Sequence, residues 1–299
     1  MIVSPRRRAV LGVAVALVTV PFAAACRRTD IAESPVARVS VSVNRERAPL
    51  GSPVDFTYRF AVAPGAHFTE DYRVMVHVVD ADEQMIFAFD HAPAVPTTAW
   101  KPGQTVEYTR TEFLPLFPYV GQATIHVGLY STNTQKRLPL EGDHVGQRAY
   151  KVARLQLQPQ TENVYTVFKE GWHPAEVAEH NALVQWQWTK KDATLAFRNP
   201  KRDSTLYLDV DSPGGIFNDT QHVRVLAGDQ AVDDFRLAPK EQLLRRIPLK
   251  AAQLGAADMV ELHIEVDKTF VPALVTASNS KDPRELGVRV FHAFVQPND

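Results

Sequence analysis

The chain of 299 residues has one cysteine, no basic block beyond that cysteine and no continuous apolar run of about 20 residues. With a single thiol no intrachain disulfide can form, so the folded part must be held by apolar burial alone. The apolar run from Ala9 to Phe22 falls short of the ~20 residues that span hydrocarbon as a helix. Lys and Arg number 33 against 34 Asp and Glu, spread along the chain. That balance lacks the electrostatic footprint of a nucleic-acid binder, and none is expected as a partner. Also missing are a G-x-S-x-G elbow, a phosphate-binding P-loop and a G-x-G-x-x-G turn after a strand, so no catalytic residue and no cofactor is assigned. The carboxylate pairs of glycoside hydrolysis have no fixed spacing and stay open.

What is present begins at the N-terminus. Arg6, Arg7 and Arg8 precede the apolar stretch, which ends in the small residues Ala23, Ala24 and Ala25 before Cys26. This is the layout of a secretory signal, and small residues before a cysteine resemble the bacterial lipobox, in which the thiol is acylated. Ala23 stands where leucine is usual. The alternative is cleavage after an Ala-x-Ala site, which would leave a free thiol in an oxidising compartment. The arginines before Ala9 also match a twin-arginine export signal weakly. The expectation is a signal peptide over 1–26, lipid attachment at Cys26, a polar tether over 27–35, and an exported chain anchored by its lipid at the bacterial cell membrane or outer membrane. Arg27 is not the aspartate that retains many Gram-negative lipoproteins at the inner membrane.

Beyond the tether, short runs rich in Val, Thr, Phe and Tyr alternate with Gly, Pro and Asp, which predicts an all-β chain. Val39, Val41 and Val43 alternate with serines, and Val54, Phe56, Tyr58 and Phe60 repeat the period of two. Strands are expected over 72–79 and 85–90, with Met85, Phe87 and Phe89 on one face, then over 105–113, 121–130 and 148–157. Such a series over 36–157 fits an immunoglobulin-like sandwich. The polar stretch 158–163 predicts a boundary. Eight further strands, at 183–188, 193–197, 205–210, 222–226, 233–237, 243–248, 259–267 and 286–295, predict a jelly-roll-like sandwich over 164–297. Two short helices are expected, over 175–180 and 250–254.

The stretches Val76-His77-Val78-Val79-Asp80-Ala81-Asp82, Asp90-His91-Ala92-Pro93, Pro96 to Gly103, Val127-Gly128-Leu129-Tyr130 and Arg137-Leu138-Pro139-Leu140 carry a resemblance. The first half resembles the extracytoplasmic β-sandwich that trails bacterial membrane glycosyltransferases of the aminoarabinose- and mannosyltransferase-like kind. No multi-span catalytic domain is expected ahead of it. Gly171-Trp172-His173-Pro174-Ala175-Glu176, Trp186-Gln187-Trp188, Asn199-Pro200, the strand from Thr205 to Val210, Phe235-Arg236-Leu237 and Asp282 to Gly287 make the second half similar to another accessory sandwich found beside polysaccharide-building glycosyltransferases. The resemblance implies fold and setting, with envelope polysaccharide or glycosylation proteins as partners, more than chemistry.

Three of the four tryptophans, Trp172, Trp186 and Trp188, cluster in the second half. Trp186 and Trp188 lie two apart on a strand and share a face. Exposed, they would stack on sugar rings; otherwise they fill the core. Glu176, Asp203 and Arg284 are the polar groups expected to flank such a platform, with Arg284 able to fork onto Glu176 or Asp203 as a structural pair, or onto an acidic sugar. His173, Glu176 and His180 would share a helix face and could hold zinc, but match no metalloprotease signature, and no metal is assigned. Asp80, Asp82, Asp90 and His91 lack the spacing of a calcium loop, and His77 fits a hydrogen-bonded core-edge position. Three function classes follow: a non-catalytic glycan-binding accessory of surface polysaccharide assembly, an envelope protein scaffold, and an unrecognised glycoside hydrolase.

Overall fold

The computed structural model describes residues 33–275 and 279–298. The signal segment, Cys26 and residues 27–32 of the expected tether lie outside the described residues. The first half runs through β1 (Ala37–Val43), β2 (Arg47–Pro49), β3 (Pro53–Val62), β4 (Tyr72–Val79), β5 (Met85–Ala88), β6 (Thr105–Phe113), β7 (Gly121–Ser131), β8 (Asp143–Gly146) and β9 (Ala149–Gln158). One sheet is ordered β1-β3-β6; the other is β2-β9-β7-β4-β5, with β8 on β9. Alternation drives the packing: Val54, Phe56, Tyr58 and Phe60 of β3 are fully buried against Val74, Val76 and Val78 of β4 and Ile125, Val127 and Leu129 of β7. Burying such side chains contributes ~1.5–3 kcal/mol each. This is the immunoglobulin-like arrangement of two facing sheets, antiparallel except where β2 joins β9 in parallel.

Register orients the sandwich. Ala37 of β1 pairs with Val62 of β3, Ala61 pairs with Thr105, and Pro53 pairs with Phe113. The chain therefore enters β1 at one pole, and Phe113 lies at the opposite one. One expectation is corrected here. Met85 does not face the core with Phe87; it is 60% exposed while Ile86 and Phe87 are buried. The pairing of β4 and β5 slips between Val78 and Val79, and the extra residue of such a bulge breaks strict alternation.

The second half contains β10 (Thr166–Phe168), β11 (Glu176–Ala178), β12 (Asn181–Trp188), β13 (Asp192–Arg198), β14 (Ser204–Asp211), β15 (Gln221–Ala227), β16 (Gln230–Leu237), β17 (Gln242–Leu249), α1 (Ala251–Leu254), β18 (Met259–Val266) and β19 (Arg289–Pro297). The sheets are ordered β10-β13-β18-β15-β16 and β11-β12-β19-β14-β17. Counting β12 to β19 as one to eight, the two sheets read 2-7-4-5 and 1-8-3-6, which is jelly-roll connectivity. Leu206, Leu208 and Val210 of β14 meet Leu195, Val225, Leu262 and Ile264 of the facing sheet in a second core. The helix expected over 175–180 is absent: Glu176–Ala178 pairs with β12 instead. Pro174 ends any earlier helix, and main-chain pairing to a neighbouring strand satisfies this segment better than one isolated turn would.

The last residue of the first core is Leu157. A 3-10 turn over Gln160–Glu162 follows β9, and from there the chain enters the second half. Side chains then tie the sandwiches together. Arg246 Nη2 donates to Asp55 Oδ1 at 2.6 Å and to Thr111 Oγ1 at 2.5 Å. Arg45 reaches Gln296 at 2.7 Å, and Asn163 Nδ2 donates to the Leu50 carbonyl at 2.7 Å.

Candidate functional site

The tryptophan cluster organises around Arg289. Antiparallel pairing sets Trp188 opposite Arg289 and Trp186 opposite Glu176. The Arg289 guanidinium sits 5.3, 5.6 and 5.5 Å from the ring centroids of Trp186, Trp188 and Phe291. Arg289 also forks onto Asp211, with Nε at 2.8 Å from Oδ1 and Nη2 on Oδ2. Trp188 is buried, packs edge-on to Phe270 at 5.8 Å and points its N–H at Glu176 Oε2, 3.4 Å away. Trp172 is half-buried; it meets Phe168 edge-on at 4.6 Å and donates to the Thr194 carbonyl at 2.8 Å. A stacking platform needs a free ring face, and here Arg289 lies over two of the three indoles.

The structure brings Glu176 and Arg284 together: Arg284 Nη2 is 2.7 Å from Glu176 Oε1 and 2.6 Å from Asp282 Oδ2. Bonding to Arg284 lowers the Asp282 carboxyl to about 2, and the two carboxylates hold the guanidinium above its ordinary value. Asp203 is elsewhere. It precedes β14, where it binds Lys250 at 2.9 Å and accepts from the Ala251 N–H at 2.9 Å, whereas Asp211, beside Arg289, closes the other end of that strand. At ~3.4 Å per residue this separates Asp203 from the tryptophans by more than 20 Å, so it does not flank them. His173 Nε2 meets the Glu285 carbonyl at 2.7 Å and His180 is exposed beside Glu179. No group of three or more His, Cys, Asp or Glu able to hold a metal occurs among the described residues. Asp80 closes the β4–β5 turn by accepting from the N–H groups of Asp82 and Gln84.

A different concavity lies at the junction of the sandwiches. The pairing of β14 and β19 slips between Asp209 and Val210, so Asp209 opposes His292, Val210 opposes Val290, and Phe291 is the extra residue. Bulges re-aim side chains next to binding sites. Beyond Trp188 and Gln187, β12 no longer pairs with β19, leaving a notch. A concavity of about 450 Å³ there is lined by Phe291, Phe294 and Gln185 together with Tyr165, Thr166, Gln160 and Asn163. On its far side Phe113 of the first sandwich stacks flat on His292, centroids 3.9 Å apart and planes 4° from parallel. A second, larger basin of about 940 Å³ begins beyond that stack, lined by Phe89, Arg110, Glu112, Asp209, Gln242 and Arg246 among others. Burial raises the Glu112 carboxyl, opposed by the Arg110 guanidinium, whose Nε lies 2.8 Å away.

Sequence reasoning passed over Phe113, Tyr165, Phe291, His292 and Phe294. A signal was available: His292 and Phe294 occupy the positions of β19 that alternate with its buried residues, where a polar face is normal. Aromatics there mark a surface that is covered or used.

Fold and site together define an all-β chain of an immunoglobulin-like and a jelly-roll sandwich with a two-basin cleft at their junction. No protein-family model matches the chain, and no curated protein matches it. Among solved structures it is similar to a GH115 4-O-methyl-α-glucuronidase specific for decorated arabinogalactans, at 13% identity and a TM-score of 0.34, over 52% of this chain and 20% of that one. It is also similar to a carbohydrate-binding module of the β-sandwich superfamily, at 8% identity and a TM-score of 0.24, over 88% and 99% of the two chains. A third is the sporulation control protein Spo0M from Bacillus subtilis, at 11% identity and a TM-score of 0.28, over 73% and 92%. The chain thus spans about a fifth of the glucuronidase's length.

Proposed function

We propose that this protein is a non-catalytic, lipid-anchored component of the bacterial cell envelope that binds a glycan at the junction of its two sandwiches. The smaller basin carries the glycan reading. It sets four aromatic rings, Phe113, Tyr165, Phe291 and Phe294, beside the amides of Gln160 and Asn163. Sugar sites pair an apolar platform with a few placed hydrogen-bonding groups in this way. Asn163 Oδ1 is buried and has no protein donor. An acceptor left so costs ~1–3 kcal/mol, and a sugar hydroxyl is a donor of the right kind. The envelope setting rests on Arg6 to Arg8, the short apolar segment and the small residues before Cys26.

A second reading, an envelope protein scaffold, is favoured by the exposure of Leu116, Phe117 and Val120 at 66%, 39% and 52% on the loop between β6 and β7. The experiment that separates the two is an array of envelope polysaccharides probed with the full chain in detergent, alongside Tyr165→Ala. Tyr165 is half exposed, so its loss leaves both cores intact. A stacking ring is worth ~0.5–1.5 kcal/mol, and the variant should bind about two- to tenfold more weakly. A folded chain that binds no polysaccharide from its own source overturns the glycan reading.

A further inference from the structure

The two basins share Phe113, Pro115 and His292, so a ligand longer than one basin meets the other across the stacked pair. Their linings differ in charge. The smaller holds no Asp, Glu, Lys or Arg among its lining residues. The larger holds two arginines and three carboxylates, Asp90, Glu112 and Asp209. Both arginines are already engaged. Arg110 donates to Glu112, and Arg246 is held by Asp55 and Thr111. Asp90 turns Oδ1 to the Val76 N–H at 2.9 Å, with the His77 ring 3.9 Å away.

Asp209, like Asp90, carries no Lys or Arg on its carboxylate, and it is the one of the two beside the stacked pair. It accepts from the Gln242 amide at 3.0 and 3.2 Å and lies 3.2 Å from His292 Nδ1. No Lys or Arg pairs with it among the described residues. The carboxylates of the larger basin that meet no Lys or Arg are therefore Asp90 and Asp209, and Asp209 sits against His292, which forms one wall of the shared stack.

We propose that the glycan held in this cleft carries an amino sugar with a free amine, seated against Asp209, and that the cleft disfavours uronic acids. This rests on the glycan reading above. An ammonium brings three donors and a compact positive charge to a carboxylate that the Gln242 amide and the His292 ring contact and no Lys or Arg pairs among the described residues. A uronate would bring a second carboxylate to Asp209, with each arginine already carrying one and nothing to offset its desolvation. A neutral sugar fits the smaller basin and the amine-bearing unit lies across Phe113 and His292, which makes the ligand an oligosaccharide.

The test titrates three probes into the full chain in detergent at low ionic strength: β-1,4-linked glucosamine tetramer, its fully N-acetylated counterpart and galacturonate tetramer. The glucosamine tetramer should bind about three- to fivefold more tightly than the N-acetylated one, the range of a partly exposed ion pair. Added salt should shrink that preference. Asp209→Asn keeps the shape and the Gln242 contact, and should bring the two to within about 1.5-fold. Galacturonate tetramer binding as well as either, or a preference that survives Asp209→Asn or high salt, would overturn the assignment. The salt series reads the same charge should the variant not fold. Equal binding of the amine and acetamide tetramers sinks the amino-sugar assignment and leaves the glycan reading standing. Failure of every probe, together with silence on the polysaccharide array, sinks both.

Discussion

Replacing Arg246 by alanine tests whether the cleft is built by the docking of the two sandwiches. Arg246 is 45% exposed at its side chain and Asp55 only 16%, so the pair lies between a surface ion pair and a buried one. Exposed pairs contribute ~0.2–1 kcal/mol, and hydrogen bonds to charged groups reach ~1.5–3 kcal/mol. The guanidinium also lies 5.7 Å from the centre of the Tyr207 ring, worth ~0.5–1 kcal/mol at an exposed site. Asp55 keeps the Thr111 hydroxyl at 2.7 Å after the change and is not left bare. Together these give about 2 kcal/mol for Arg246→Ala, of which about 1 kcal/mol is shared with Asp55. The assay is urea denaturation of wild type, Arg246→Ala, Asp55→Ala and the double variant. A coupling energy near 1 kcal/mol is expected. A value under about 0.3 kcal/mol, the usual scatter of independent sites, would refute the claim that this pair joins the sandwiches.

Trp188→Ala should destabilise by about 3–5 kcal/mol in the same urea assay, since Trp188 is buried under Arg289 and Phe270; a cost under 1 kcal/mol would mean the indole is dispensable. His91 is 5% exposed, and burial pushes it down to about 4. Its Nδ1 faces the Phe89 carbonyl, so Nδ1 carries the proton and Nε2 accepts from the Tyr108 hydroxyl at 2.9 Å. The unfolded chain binds the second proton near pH 6.5 and the folded one only near pH 4, so this contribution is present above about 6.5 and is lost as pH falls to about 4. About 2–3 kcal/mol should disappear over that window, and His91→Gln should flatten the urea midpoint against pH. Cys26→Ala should move the protein from the membrane to the soluble fraction; equal membrane association of both forms would exclude a lipid anchor at that residue.

Much of the fold was legible because its signals are local. Period-two alternation is plain in β1, β3 and β18 and shows which side chains meet the cores, whereas β13 is buried at five consecutive positions and β19 carries a bulge. The strand at Glu176–Ala178 was not legible, because three residues hold no period and its partner β12 alone decides its state. Met85 was misplaced for a related reason, since a bulge is invisible to an alternation count. For the site, proximity in sequence suggested the tryptophans, and the structure does gather Trp186, Trp188, Glu176 and Arg284. What composition could not supply was Arg289, which lies far along the chain and arrives over the indoles only through the pairing of β12 with β19. The cleft depends still more on distant contacts, because Phe113 and His292 belong to different sandwiches and meet only when both have folded.

The register of β1, β3 and β6 gives the molecule a direction. Ala37 and Phe113 sit at opposite ends of a sheet whose long strand, β3, runs from Pro53 to Val62, about 30 Å at the usual rise. Whatever joins the first sandwich at Ala37 therefore meets it a full strand length from Phe113, with β3 as a rigid spacer between the two poles. That separation is set by the sheet itself, so a change in β1 near Ala37 would leave the shape of the cleft as it is.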